Sequence, residues 1–229
     1  MLRTGLALLA TALLTSPLHA VTYTEIGDAG RLRQTAQPTA STPAAANQSL
    51  TMIFGSLLNA GDVDLFAINI TNPLSFSATT VNSLTSTAGA DTALWLFDSS
   101  GRPVFGNDDD PSGTTVTSTL SSGSSFGPLV AGLYYIGISL AGSEPVNFAN
   151  INLFAFASST SLRAPNPNAA GPLTDWDTTL ANGTGTTFAA NYQIDLVGAT
   201  TSAVPEPSAV ALSVFGALGL VAAAKRRRR

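Results

Sequence analysis

From residue 51 to residue 197 the apolar residues come in short runs, each closed by Gly, Pro, Asn or Ser, and none repeats with a helical period. That punctuation restricts the chain to short strands joined by turns. Segment 62–70 alternates, setting Phe66, Ile68 and Ile70 on one face. Segment 133–140 does the same with Tyr134, Ile136, Ile138 and Leu140. Segment 92–97 is almost wholly apolar, the pattern of a strand covered on both faces. Segments 51–58, 74–81, 103–105, 116–120, 147–157 and 192–197 complete the expected set. Eight or nine short strands rich in β-branched and aromatic residues predict an all-β fold, a single β-sandwich or jelly-roll-like domain.

Both ends of the chain read differently. Residues 1–20 carry Arg3, a short apolar run over 6–14 and a small residue, Ala20, before Val21. This is the pattern of a secretory signal helix, too short to span a bilayer of about 30 Å. Residues 21–50 are rich in Ala, Thr, Pro and Gln and predict an extended lead-in along the edge of the domain. The β domain proper is expected over 51–203, with 158–190 as a long polar loop insertion. From 204 the chain reads Val204-Pro205-Glu206-Pro207, then seventeen uncharged residues over 208–224, then Lys225 and four arginines. As a helix rising about 1.5 Å per residue, the uncharged stretch reaches roughly 25 Å, enough for a thin bilayer. The basic cluster predicts a cytoplasmic stop, with the preceding domain on the far side of the membrane.

Charge and missing residue types narrow the chemistry. Between Val21 and Ala203 four arginines face thirteen carboxylates, although the whole chain carries only −4 because the basic tail offsets them. An acidic domain without clustered Lys or Arg is unsuited to nucleic-acid phosphates. There is no cysteine, His19 lies in the signal segment, and Lys225 lies in the tail. Disulfides, thiolate or histidine metal sites, Ser-His-Asp triads and Schiff bases are therefore outside the reach of the domain. Carboxylate chemistry remains.

The order Pro205-Glu206-Pro207, uncharged helix, arginine cluster resembles the PEP-CTERM sorting signal over residues 204–229. That resemblance implies an exosortase, a membrane protease, as the partner that recognises Val204, Pro205, Glu206 and Pro207. It also implies delivery to the cell surface or extracellular matrix, in association with exopolysaccharide. Within the domain three blocks stand in order. They are Gly61-Asp62-Val63-Asp64-Leu65-Phe66, then Asp91 through Phe97-Asp98-Ser99-Ser100-Gly101 to Asn107-Asp108-Asp109-Asp110, then Gly132-Leu133-Tyr134-Tyr135-Ile136. With Tyr192-Gln193-Ile194-Asp195-Leu196 as a final strand, they resemble the bacterial pre-peptidase C-terminal domain. That family implies a β-sandwich in an accessory role, with calcium in several members.

Calcium takes six to eight oxygen ligands in a tolerant geometry. The candidate donors are Asp62 and Asp64 at a strand start, Asp91 and Asp98 flanking segment 92–97, and Asn107, Asp108, Asp109 and Asp110 on one loop. The same aspartates would also serve as solvated turn residues. Trp176 in the polar insertion is a candidate platform for stacking on a sugar, the feature of a carbohydrate-binding module; local packing is the alternative. A carboxylate-pair glycoside hydrolase would need Asp175 with Asp177, or Asp108 with Asp110, one of them with a raised pKa. The expected function is non-catalytic.

Overall fold

The computed structural model describes residues 20–81, 90–181 and 190–203, and these form an all-β, sandwich-like fold. The expected signal segment (apart from Ala20), residues 204–229 with the expected sorting motif, residues 82–89 and part of the expected insertion lie outside the described residues. Among the described residues no helix is long and apolar enough to cross a membrane.

Among the described residues thirteen strands appear in chain order: β1 (Ala20–Thr24), β2 (Gln37–Pro38), β3 (Ser49–Leu57), β4 (Val63–Ile70), β5 (Ser77–Thr79), β6 (Thr92–Asp98) and β7 (Pro103–Asn107). Then follow β8 (Thr119–Leu120), β9 (Gly132–Leu140), β10 (Glu144–Val146), β11 (Asp175–Asp177), β12 (Ala190–Val197) and β13 (Ala199–Thr201). Hydrogen bonding runs β7-β6-β9-β4-β13-β3-β12-β5-β8, so one curled sheet supplies both walls. The corner is turned at Gly198, where a φ of 76° lets β12 pass into β13, and β13 then pairs with both β3 and β4. At the open seam Asn107 holds β8 against β7, its Oδ1 accepting from Thr119 N at 2.8 Å.

The alternation read from the sequence decides two cores. Phe66, Ile68 and Ile70 on β4, Leu94 and Leu96 on β6, and Ile136, Ile138 and Leu140 on β9 point between the walls, meeting Ile53, Tyr192 and Ile194. The intervening residues, Val63 and Leu65, Trp95 and Phe97, and Tyr135, point outward into a second core. Segment 92–97 is thus buried on both faces, as its composition predicts.

What covers the outer face departs from expectation. Residues 147–157 form no strand, making only isolated bridges, Val146 with Asn152 and Phe154 with Pro165. Asn147 accepts from Ala149 N and Ile151 N through its Oδ1, and Asn150 adopts a φ of 58°, so a side-chain-stabilised turn replaces the ladder. The described part of the expected insertion lies across β6 and β9 rather than standing off in solvent. Leu153, Phe154, Leu173 and Trp176 fill the second core, while β11 pairs with β10. Gly106 makes room for this layer: a Cβ there would stand 2.6 Å from the Trp95 ring. The lead-in is also structural, with β1 pairing parallel to β3 and β2 parallel to β4.

Strand register sorts the turns into two poles. One gathers 58–62, 108–118 and 141–143. The other gathers 71–76, 99–102, 121–131 and Gly198.

Candidate functional site

The carboxylates concentrate at the first pole, in two separate groups. In the first, carboxylate oxygens of Glu25, Asp28 and Asp64 all lie within 4.8 Å of one another. Glu25 follows β1 directly and is held from both sides: Oε1 accepts from Ala29 N and Oε2 from Ser56 N, each at 2.8 Å. Asp64 occupies an inward position on β4 and is 0% exposed. Its Oδ2 accepts from the Tyr192 hydroxyl at 2.7 Å, while Oδ1 has no hydrogen-bond partner. Asp62 closes the turn between β3 and β4, accepting from Leu58 N at 2.6 Å and Val63 N at 2.9 Å. An open cleft of about 350 Å³ adjoins the group, lined by Glu25, Gly55, Ser56, Asn191, Tyr192 and Gln193. A side chain at Gly55 would collide with Tyr192 Oη at 2.2 Å, so glycine is what lets the tyrosine reach Asp64.

Burial pushes the Asp64 carboxyl up to about 9; the Tyr192 hydrogen bond opposes this, and Glu25, Asp62 and Asp28 reinforce it. Glu25 and Asp62 are raised for the same leading reason, burial. The Tyr192 hydroxyl is driven up by burial and by Asp64, so it stays a donor. Charged groups acting on Asp64 are therefore all negative, and the group accommodates either a proton or a cation.

The second group brings carboxylate oxygens of Asp91, Asp108 and Asp109 within 4.8 Å. It differs in having a resident cation. Arg163, almost fully buried, donates to Asp108 Oδ2 at 2.9 Å and to Glu144 Oε1 at 2.6 Å, with its guanidinium 5.2 Å from the Trp95 ring centroid. Burial raises Asp108 to about 6 even though Arg163 pulls the other way.

The eight donors expected from sequence are thus divided. Asp64 joins Glu25 and Asp28, which the sequence reading missed, while Asp62 caps its own turn and acts on them only through its charge; Asp91, Asp108 and Asp109 join each other. Asn107 belongs to neither, since its amide bridges Thr119 N and Ser161 O inside the seam. Asp98 lies at the opposite pole and caps its own turn, accepting from Ser100 N at 2.8 Å and Arg102 N at 2.9 Å. Asp110 turns back onto Ser112, whose hydroxyl holds its carboxyl below the usual range.

Trp176 is not placed as a stacking platform. Only 5% exposed, it lies edge-on to Trp95 and Phe97 at 6.3 and 6.2 Å, and its indole N–H donates to Arg31 O at 2.7 Å. The packing alternative is the one the structure takes. Of the carboxylate pairs considered for hydrolysis, Asp175 is paired with Arg31 and Asp177 is lowered by the Thr179 hydroxyl, the reverse of what a general acid requires. Asp108 and Asp110 do not share a group. The motif Val204 to Pro207 lies outside the described residues. No protein-family model matches the chain, and no curated protein matches it.

Proposed function

We propose that this chain is an exported protein of the cell surface or extracellular matrix, carrying a non-catalytic, accessory or structural β-sandwich. The observation that carries the reading is the tail: Val204-Pro205-Glu206-Pro207, a charge-free stretch over 208–224 and five terminal cations, on a chain that opens with a signal-like segment. A membrane protease of the exosortase type is the partner that this tail fits, and the exopolysaccharide-bearing surface is the destination. The domain supports a passive role through what it holds together. Its second core locks the 144–177 cover onto the sheet, and its last strand is fixed, with Ser202 N donating to Thr39 Oγ1 at 2.9 Å.

The test is fractionation of the tagged chain, intact and with Val214→Asp and Leu218→Asp in the apolar stretch. The intact chain is expected at the membrane or surface, with its released form shortened from about residue 204 by mass. The double variant is expected to lose membrane retention. Intact chain recovered from the cytosol at full mass would refute the reading.

The cofactor belonging to this proposal is calcium at Glu25, Asp28 and Asp64. Hard oxygen donors from two distant segments, Glu25 with Asp28 and Asp64, converge there without a cationic side chain, and one buried carboxylate oxygen lacks a partner. A ligand that binds only the folded state raises its stability by about 2.7 kcal/mol at a hundred times its Kd. A melting midpoint identical in chelator and in millimolar calcium would remove calcium from the proposal.

A further inference from the structure

The two poles differ in charge; apolar side chains are exposed at both, Leu58, Val116 and Ile26 at the first. Both carboxylate groups and Asp62 sit at one. At the other, Leu74 and Leu129 are 84% and 88% exposed, and Phe126, Val130 and Val197 are also open to solvent. Register places them together. Leu74 lies in the turn that leaves β4 at Ile70, Val197 ends β12 opposite Ser77, and loop 121–131 runs between β8 and the start of β9 at Gly132. Phe126, Leu129 and Val130 border an apolar hollow of about 410 Å³ with Pro103, Val104 and Tyr134, and Tyr134 donates to Val130 O at 2.7 Å. The charges here are Asp98, which caps its turn, and the exposed Arg102 and Arg33, the latter donating to Ser99 O at 3.3 Å. Five large apolar side chains flanked by two arginines, on a domain whose opposite end is strongly acidic, form a polarised surface.

Chain length says what such a surface meets. Four residues, two of them proline, separate Ala203 from the uncharged stretch at 208. The five steps from Ala203 to Ser208, at about 3.3 Å each, reach roughly 17 Å. A domain of this size is roughly 40 Å across, so with the stretch in a bilayer one side of the domain must lie against the headgroups. Ala203 stands four residues beyond Ala199, which pairs with Ile70 at the apolar pole. That separation is about 13 Å, within the linker's reach. An anionic headgroup layer repels the acidic pole and attracts the arginine-flanked one.

We propose that the pole bearing Leu74, Phe126, Leu129, Val130 and Val197 rests on an anionic phospholipid surface, with Arg33 and Arg102 at the headgroup phosphates and the carboxylate groups turned outward. The inference rests on the reading of the tail as a membrane segment. Because the chain has no cysteine, single labels are clean. The full chain is reconstituted with an environment-sensitive fluorophore at Leu129→Cys or, at the acidic pole, Thr114→Cys, in vesicles with phosphatidylglycerol or phosphatidylcholine alone and spin-labelled headgroups as quencher. Quenching at 129 is expected to exceed that at 114 by about threefold or more, and to fall in phosphatidylcholine and in an Arg33→Gln, Arg102→Gln chain. Equal quenching at the two positions, in a chain that floats with the vesicles, would overturn the orientation and leave the tail reading intact. A chain that floats as well with Val214→Asp and Leu218→Asp as without them, or that fails to float at all, would overturn the tail reading and this inference with it.

Discussion

Replacing Asp64 by asparagine should remove a pH dependence that the parent domain carries. The folded chain keeps the Asp64 proton up to about pH 9, whereas an unfolded aspartate loses it near its ordinary value of 3.8. Between those limits folding takes up a proton, so the contribution is whole below about pH 4, declines as pH rises and is gone above about pH 9. Each pH unit in the window is worth about 1.4 kcal/mol, so the step from pH 5 to pH 8 costs about 4 kcal/mol. For a domain of this length that lowers the midpoint by roughly 8–16 °C. Asparagine reproduces the protonated carboxyl: its oxygen still accepts from Tyr192, and its amide takes the place of Oδ1. In chelator, Asp64→Asn should therefore melt a few degrees above the parent at pH 5 and far above it at pH 8. Millimolar calcium should flatten the parent's slope, because a bound cation replaces the proton. Thermal melts of the full chain in mild detergent at pH 5, 6, 7 and 8 decide it. A parent slope in chelator that Asp64→Asn leaves unchanged would show that burial of Asp64 does not govern the titration.

Arg163→Met should cost about 3–5 kcal/mol at pH 7, since it leaves Asp108 and Glu144 buried without their counter-charge. The loss should shrink below pH 6 as Asp108 takes up a proton; urea titrations at pH 5 and 7 that give equal losses would count against it. Trp176→Ala should lower stability by about 3–5 kcal/mol through the cavity left between Trp95 and Phe97, and an unchanged urea midpoint would contradict the packing described. Gly106→Ala should cost about 1–3 kcal/mol by driving a methyl into the Trp95 ring, read as a lower midpoint together with altered near-ultraviolet dichroism.

Strand existence was legible because inward-facing apolar residues recur at every second position, Phe66, Ile68 and Ile70 in one segment and Tyr134, Ile136, Ile138 and Leu140 in another. Even the double burial of 92–97 could be read from its composition. The outer layer could not. Its apolar residues, Leu153, Phe154, Leu173 and Trp176, are spread over a polar stretch and gain meaning only from the exposed sides of Trp95, Phe97 and Leu65 beneath them. Segment 147–157 was expected as a strand, yet Asn147 and Asn150, both turn-forming residues, interrupt it. Strands β1 and β2 failed to register for a related reason: short parallel pairs take their definition from distant partners rather than from their own pattern.

The site was half visible because proximity in sequence is a poor guide to proximity across a sandwich. Asp98 and Asp110 looked like donors through their neighbours, but short local turns already engage both. Glu25 and Asp28 looked isolated, yet β1 carries them across β3 to the inward-facing Asp64. A usable signal was there: an acid directly after the alternating Val21 and Tyr23, at the end of what proves to be a strand. The placement of the arginines then gives the group its character. Arg163 serves the second carboxylate group, Arg31 pairs with Asp175, Arg33 reaches the Ser99 carbonyl at the other pole, and Arg102 lies exposed in the turn beside it. Among the described residues no lysine or histidine is present to substitute. Glu25, Asp62 and Asp64, whose carboxyls burial raises, therefore draw their neutralising charge from solution, as protons or a divalent ion. The acidity of this domain thereby makes its stability a function of the medium around it.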